Sequence, residues 1–216
     1  MAASRSRGRP SFEMDEPAVL RAALEAFAEF GLQGTSMERV AERTGVAKTT
    51  LHDHFGSKSA LYERAMEQEH EVLASHLLSA YAAGQELDML EQLRNGYVAL
   101  FSYAREKPAV FQLIFGDAGA PTLTSGSAMR GRRLVVDAVT QLVSSQSIAF
   151  GRTTGPSAEV TADVIVGSGE YVAMRLAREP DLDPDMITDF MVEILSRGIF
   201  GTDPETAARI DGLSGA

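Results

Sequence analysis

Apolar residues recur at three- and four-residue spacing through most of this 216-residue chain, interrupted by Gly and Pro where helices stop and start. That pattern constrains it to an all-α fold. From Pro17 to Phe30 the residues Leu20, Ala23, Leu24 and Phe27 fall on one face, with Arg21, Glu25 and Glu29 between them, as in an amphipathic helix. Pro17 suits its first turn behind Asp15 or Glu16, and Gly31 ends it. Thr35-Ser36-Met37-Glu38 reads as a capping box, the Thr35 oxygen taking an orphan amide and Glu38 reaching back, and opens a short second helix ending near Thr44. Gly45 then allows a tight turn before a third helix that begins in Val46-Ala47-Lys48-Thr49-Thr50-Leu51. Gly56-Ser57 closes the third and caps a fourth, from Lys58 to Ala83, with Leu61, Ala65, Val72, Leu73, His76, Leu77 and Ala80 on its buried stripe. Further helices are expected at Asp88 to Arg105, Pro108 to Phe115, Met129 to Phe150, Ala158 to Arg178 and Pro184 to Ile199, the last behind an Asp183-Pro184 start signal. Residues 116 to 128 are the least organised internal stretch, Gly201 to Ala216 reads as a polar tail open to partial order, and neither a strand pattern nor an internal repeat competes.

Charge narrows the partners only once it is divided along the chain. The total of -10 argues against an anionic partner. Residues 1 to 60, however, hold eight basic and eight acidic side chains, and residues 61 to 216 hold 12 and 22. The whole excess belongs to the C-terminal part, and phosphate attraction depends on the local field of the docking face. The absence of Cys excludes disulfides, thiolate zinc sites and cysteine nucleophiles, and is compatible with a reducing cytosol. Met1 to Pro10 lacks the apolar stretch of a secretory signal, and no run approaches the roughly 18 uncharged apolar residues of a membrane span. A soluble cytoplasmic protein with no membrane partner is expected.

The segment Thr35 to Phe55, a short helix, a turn at Gly45 and a second helix rich in small polar residues, has the helix-turn-helix arrangement. In it one helix braces across the phosphate backbone and the next enters the major groove, about 12 Å wide. The detailed pattern is Val19 to Gly31, Gly34-Thr35-Ser36-Met37, Val40-Ala41, Gly45-Val46-Ala47-Lys48, Leu51 and Phe55-Gly56-Ser57-Lys58. It closely resembles the DNA-binding domain of the tetracycline-repressor (TetR) family over roughly residues 17 to 64. The resemblance implies a homodimeric bacterial transcription regulator, usually a repressor, that binds a double-stranded DNA operator and answers to a small-molecule effector.

Carried onto this chain, the resemblance makes Lys48 to His54 the recognition helix. Thr35, Lys48, Thr49, Ser57 and Lys58 are then the candidate phosphate contacts, with free amides around Ser57 to Ala60 as an anion seat. Base reading falls to Thr49, Thr50, His52 and Asp53, since Thr can offer a methyl to thymine and Asp can accept from cytosine N4. Relatives often carry Tyr where His52 stands, and Tyr or Phe where His54 stands. His52 can meet a phosphate as a cation or a base as a neutral ring, and His54 is expected to pack beneath the helix. Val40, Ala41, Val46, Leu51 and Phe55 are the candidate core of this head. Arg5, Arg7 and Arg9 are either a minor-groove arm or a solubilising terminus.

Beyond the fourth helix the resemblance fades. His76, Met89, Leu93, Tyr97, Phe101, Phe111 and Phe115 concentrate aromatic and flexible apolar surface, and are the candidate lining of an effector pocket, a filled core being the alternative for each. Without a basic cluster there, a neutral or cationic, hydrophobic or aromatic effector is expected. Val160, Val164, Gly167, Tyr171, Met174, Phe190 and Ile194 stripe the last two long helices, which in the family pair with their symmetry mates in a C2 dimer. The family analogy further implies that effector binding tilts the Lys58 to Ala83 helix and alters the spacing of the two reading heads.

Catalysis finds no constellation. His70 and His76 stand six apart on one helix, and the chain has no Gly-rich phosphate loop before a Lys, no HExxH pair and no nucleophile elbow. Asp181, Asp183 and Asp185 read as helix-cap and turn residues. The expectation is no enzyme, cofactor or metal, with a helical protein-interaction module that does not bind DNA as the alternative function. The expected plan is a tail over 1 to 14, a reading head over 15 to 60, an effector and dimerisation domain over 61 to 204, and a tail over 205 to 216.

Overall fold

The computed structural model describes residues 14–84, 86–115, 126–149 and 155–212. The Arg5, Arg7 and Arg9 tail and most of the Gly- and Ser-rich stretch from 116 to 128 lie outside them. Ten helices and no strand occur among the described residues: α1 (Glu16–Gly34), α2 (Met37–Thr44), α3 (Lys48–Phe55), α4 (Lys58–Ala83), α5 (Met89–Glu106), α6 (Pro108–Phe115), α7 (Gly126–Ala149), α8 (Pro156–Arg178), α9 (Pro184–Gly201) and α10 (Pro204–Asp211). They form two compact units divided between Ala65 and Met66, within α4.

In the first unit, Asp15 caps α1 by accepting the Ala18 amide at 3.1 Å, with Pro17 in the first turn. Gly31, at φ +71°, breaks the helix inside its last turns, a conformation open to Gly because a Cβ there would crowd the carbonyl. Gly45 makes the same use of the left-handed region, at φ +69° and ψ 8°, and its amide donates to Ala41 O. The interior holds Leu20, Ala23, Phe27, Val40, Leu51 and Leu61, with Phe27 edge-on to Tyr62 at 5.1 Å.

The capping box is not formed. Ser36 is the N-cap of α2, accepting from Arg39 N at 3.3 Å. Thr35 is buried instead, and its hydroxyl donates to Ala26 O (3.1 Å) and Gly31 O (2.8 Å), tying the broken end of α1 to the start of α2. Either residue of a Thr-Ser pair can cap. The carbonyls of Ala26 and Gly31, which lie within reach of the Thr35 hydroxyl inside the head, give Thr35 the inward role.

In the second unit, α8 packs against α5, α6, α7 and α10, and α9 packs on α5. Asp88 and Glu91 make the capping box that α2 lacks, and Asp183 caps α9 by accepting from Asp185 N and Met186 N, the role expected of it. Arg105 donates to the carbonyls of Leu176, Glu179, Pro180 and Leu182, supplying partners to the C-terminal end of α8 and the turn that follows. Gly169 admits the Tyr97 ring, since a Cβ there would lie 2.6 Å from it, and the Tyr97 hydroxyl donates to Ile165 O at 3.0 Å.

Two expectations need correction. The buried face of α4 runs through Leu61, Ala65, Glu69, Leu73 and Leu77, while Val72 and His76 are exposed. A charged residue holds the middle of the stripe, and Val72 and His76 each precede a stripe position by one residue, a rotation of about 100°. The second concerns the expected C-terminal tail, which contains α10. Asp203 caps it ahead of Pro204, the same start signal as at Asp183-Pro184, and Asp211 Oδ1 accepts from Ser157 N at 2.9 Å. No helix among the described residues is long and apolar enough to cross a membrane.

Candidate nucleic-acid interface and effector cavity

The turn at Gly45 sets α3 against α2 over a core sealed by Val40, Val46 and Leu51. Ala47 precedes α3 without a side-chain cap, so the amides that open the helix are left to solvent or a ligand. One face of α3 packs through Leu51, and Lys48, Thr49, His52 and Asp53 are exposed with Thr50 half-buried. The head thus presents a short helix bearing a cation, two hydroxyls, an imidazole and a carboxylate on an apolar footing.

Several outward-facing charges of this unit pair with one another. Lys48 Nζ bonds Glu38, and the carboxyl of Glu38 is drawn down to about 2, chiefly by that hydrogen bond with help from its own backbone amide and Ser36. Arg43 reaches Glu29 at 2.8 Å and Glu25 at 3.7 Å. Glu16 Oε2 lies 3.0 Å from His54 Nε2 and Oε1 lies 3.4 Å from Arg64 Nε, and its carboxyl is held below the usual range first by the His54 hydrogen bond. His54 is exposed, edge-on to Phe55 at 4.6 Å, rather than tucked beneath the helix.

Among the expected phosphate contacts, Lys48, Thr49 and Ser57 are exposed and Lys58 is half-buried. Thr35 is the correction, its hydroxyl directed to two carbonyls inside the head. The expected anion seat is narrower too. The Ala60 amide already donates to Ser57 Oγ at 3.1 Å, and the Ser57 amide to Phe55 O at 2.9 Å.

The second unit contains a mostly apolar cavity of about 50 Å³. Leu73, Leu77, Leu100, Ile114, Val135 and Val166 supply its apolar wall, with Tyr97 and Phe115 from the expected set. The other expected lining residues lie elsewhere. Met89, Leu93, Phe101 and Phe111 are fully buried in the packed interior, and His76 is exposed with its ring 6.4 Å from Tyr103. Aromatic density marked the right helices without saying which faces leave space.

The polar groups at the cavity are His70, Tyr81, Arg132 and Glu170. His70 is 7% exposed, and neither ring nitrogen has a hydrogen-bond partner among the described residues. Burial lowers its pKa, against the opposing pull of neighbouring Glu69 and of the Met66 carbonyl, which is close to the ring but does not meet it in hydrogen-bond geometry. Burial also pushes the Tyr81 hydroxyl far above the usual tyrosine range and Tyr97 up to about 12. Arg132 Nε meets both oxygens of Glu170 at 3.1 and 3.2 Å, and its Nη1 reaches Asp163 at 3.4 Å. Desolvation raises the Glu170 carboxyl despite that pairing. A periodicity reading counts His70 as one more helix residue; its isolation becomes visible only when α4, α5 and α7 are assembled.

On the outside of this unit Val160, Val164, Tyr171, Phe190 and Ile194 stand 49% to 71% exposed, Gly167 and Met174 are half-buried, and Met186 extends the α9 stripe. Residues 160, 164, 167 and 171 share one face of α8, and 186, 190 and 194 share one face of α9.

Residues 19–65 match the family of bacterial regulatory proteins of the tetR type. The HTH-type transcriptional regulator RutR of Escherichia coli (strain K12) is 34% identical over 108 residues, which are 49% of this chain and 50% of that protein. The match thus spans about half the length of this curated relative. A TetR-like transcriptional regulator from Rhodococcus sp. RHA1 superposes with a TM-score of 0.69 at 24% identity, over 87% of this chain and 96% of that one. The transcriptional regulator FadR from Bacillus subtilis, in complex with stearoyl-CoA, does so with a TM-score of 0.68 at 13% identity, over 82% and 96%. The two structures are likenesses of fold.

Proposed function

We propose, from the match of residues 19–65 to the tetR family of bacterial regulatory proteins, that the chain is a transcription regulator of that family, acting as a homodimeric repressor that a small effector releases from a palindromic operator. The observation that carries this reading is α3, a polar helix standing on a fully buried Leu51 at the end of a Gly45 turn, within the residues that match the family. Lys48, Thr49, Ser57 and Lys58 hold phosphates, and Thr49, Thr50, His52 and Asp53 face base edges. Phosphates replace Glu38 as the partner of Lys48, an exchange made easy by the exposure of both groups.

The apolar stripes of α8 and α9 are the dimer face. Val160, Val164, Tyr171, Phe190 and Ile194 are large apolar side chains at solvent in a single protomer, a pattern suited to self-complementary burial, with Gly167 and Met174 between them. A dimer also gives two recognition helices the spacing of about 34 to 36 Å that successive major grooves require. The acidic C-terminal part stays off the phosphates, and the neutral head supplies the contact.

Mobility-shift assays of the full chain on palindromic fragments from the DNA upstream of its own gene test the reading. A retarded complex that Lys48→Ala weakens while the variant still dimerises is expected. Wild-type protein that retards every fragment equally, or none, overturns it.

A further inference from the structure

We propose that the cavity between α4, α5, α7 and α8 selects a small uncharged molecule, apolar over most of its surface, whose single hydrogen-bonding head is received by His70 and Tyr81. The inference rests on the regulator reading only in calling that molecule the effector; the site itself is argued from its own atoms.

His70 is the first observation. A buried imidazole with both nitrogens lacking partners costs the fold free energy, and here it borders the cavity. A neutral ring offers one donor and one acceptor, matching a hydroxyl or a carboxamide. Tyr81 is the second. Its ring lies over Gly96, where a Cβ would overlap it, and no hydrogen bond to its hydroxyl occurs among the described residues. Gly96 therefore leaves room for a second polar group, the Tyr81 hydroxyl, at the same cavity.

Charge and size set the class. Arg132 is the sole cationic side chain among the described lining residues, and it is already shared between Glu170 and Asp163. No surplus positive charge remains for a carboxylate or a phosphate. An ammonium would find its nearest carboxylate engaged by Arg132, and would have to shed its water against a mostly apolar wall. At about 50 Å³ the cavity is small, so it suits a ligand with a short apolar body and one polar head.

The test uses four probes that share one apolar body and differ in the head: isobutanol, isobutyramide, isobutyrate and isobutylammonium. Each is titrated into the full chain with ¹⁵N-labelled histidine, and the ring resonances of His70, assigned through His70→Phe, are followed. Saturable shifts of the His70 nitrogens with isobutanol and isobutyramide are expected, with neither ion nor stearoyl-CoA producing them. Tyr81→Phe, which removes one hydroxyl and keeps the ring, should weaken isobutyramide binding about threefold to tenfold. His70→Phe should abolish head-group discrimination among the four probes, read by a thermal shift on protein confirmed to be folded. Shifts of equal size with isobutyrate or isobutylammonium, or no saturable shift with either uncharged probe, overturn the proposal. A mobility shift on the same preparation separates the two readings. DNA binding without a His70 response sinks this inference alone, and a His70 response without DNA binding sinks the regulator reading and leaves the site.

Discussion

Both units carry surface ion pairs, but among the described residues only the second also buries charged side chains. In the head, Lys48 with Glu38, Arg43 with Glu29 and Glu16 with His54 and Arg64 are surface pairs. In the second unit Glu69 is 1% exposed, held by the Tyr103 hydroxyl and by Lys107 Nζ at 2.8 Å, and Glu170 is clamped by Arg132. Exposed pairs contribute roughly 0 to 1 kcal/mol and exchange partners readily. Buried ones are costly to break, because the survivor is left without solvent. The paired charges of the head are exposed, whereas Glu69 ties α4 to α5 from inside the second unit and Glu170 with Arg132 borders its cavity.

The largest effect should come from setting one pair of each kind against the other. Lys107→Ala leaves the Glu69 carboxylate buried with the Tyr103 hydroxyl as its remaining partner among the described residues, and is expected to cost about 3 kcal/mol in urea unfolding. Lys48→Ala should change stability by less than about 0.5 kcal/mol. Equal losses would erase the comparison. Next in size, Gly45→Ala places a Cβ at φ +69° and should destabilise the head by about 1 to 2 kcal/mol, leaving cavity binding by isobutanol unchanged.

The smallest effect is one of sign. Glu38 has its pKa lowered, so its pairing stabilises the fold above the ordinary carboxyl value of 4.5 and is lost as pH falls toward about 2. Glu170 has its pKa raised by burial, so its contribution is full below 4.5 and lost as pH rises through the folded value above it. Carboxyl ¹³C titrations, with Glu38→Gln and Glu170→Gln as assignments, should place the two glutamates on opposite sides of 4.5. Both falling on one side would contradict the contrast.

The helices were legible because their ends carry local chemistry: Asp15 with Pro17, Asp183 with Pro184, and Gly45 after Thr44. The α10 start, Asp203-Pro204, carried the same signal inside a stretch whose polarity concealed it. What stayed hidden depends on neighbours distant in sequence. Thr35 turns inward to the carbonyls of Ala26 and Gly31, and Glu69 sits on the apolar face because Tyr103 and Lys107 meet it from α5 and the turn after it. For the cavity, Tyr97 and Phe115 were recoverable from aromatic density. His70 was not, since nothing along α4 marks a histidine whose nitrogens go unmet.

The central claim, that the head and not the acidic body makes the DNA contact, is tested most directly by the salt dependence of operator affinity, measured by fluorescence anisotropy on full-length wild type and Lys48→Ala. The account predicts sequence-preferring binding that weakens steeply with salt. Lys48→Ala should then flatten the log-log slope by about 2, one phosphate from each head of the dimer. An unchanged slope in Lys48→Ala, or affinity indifferent to salt, would contradict it.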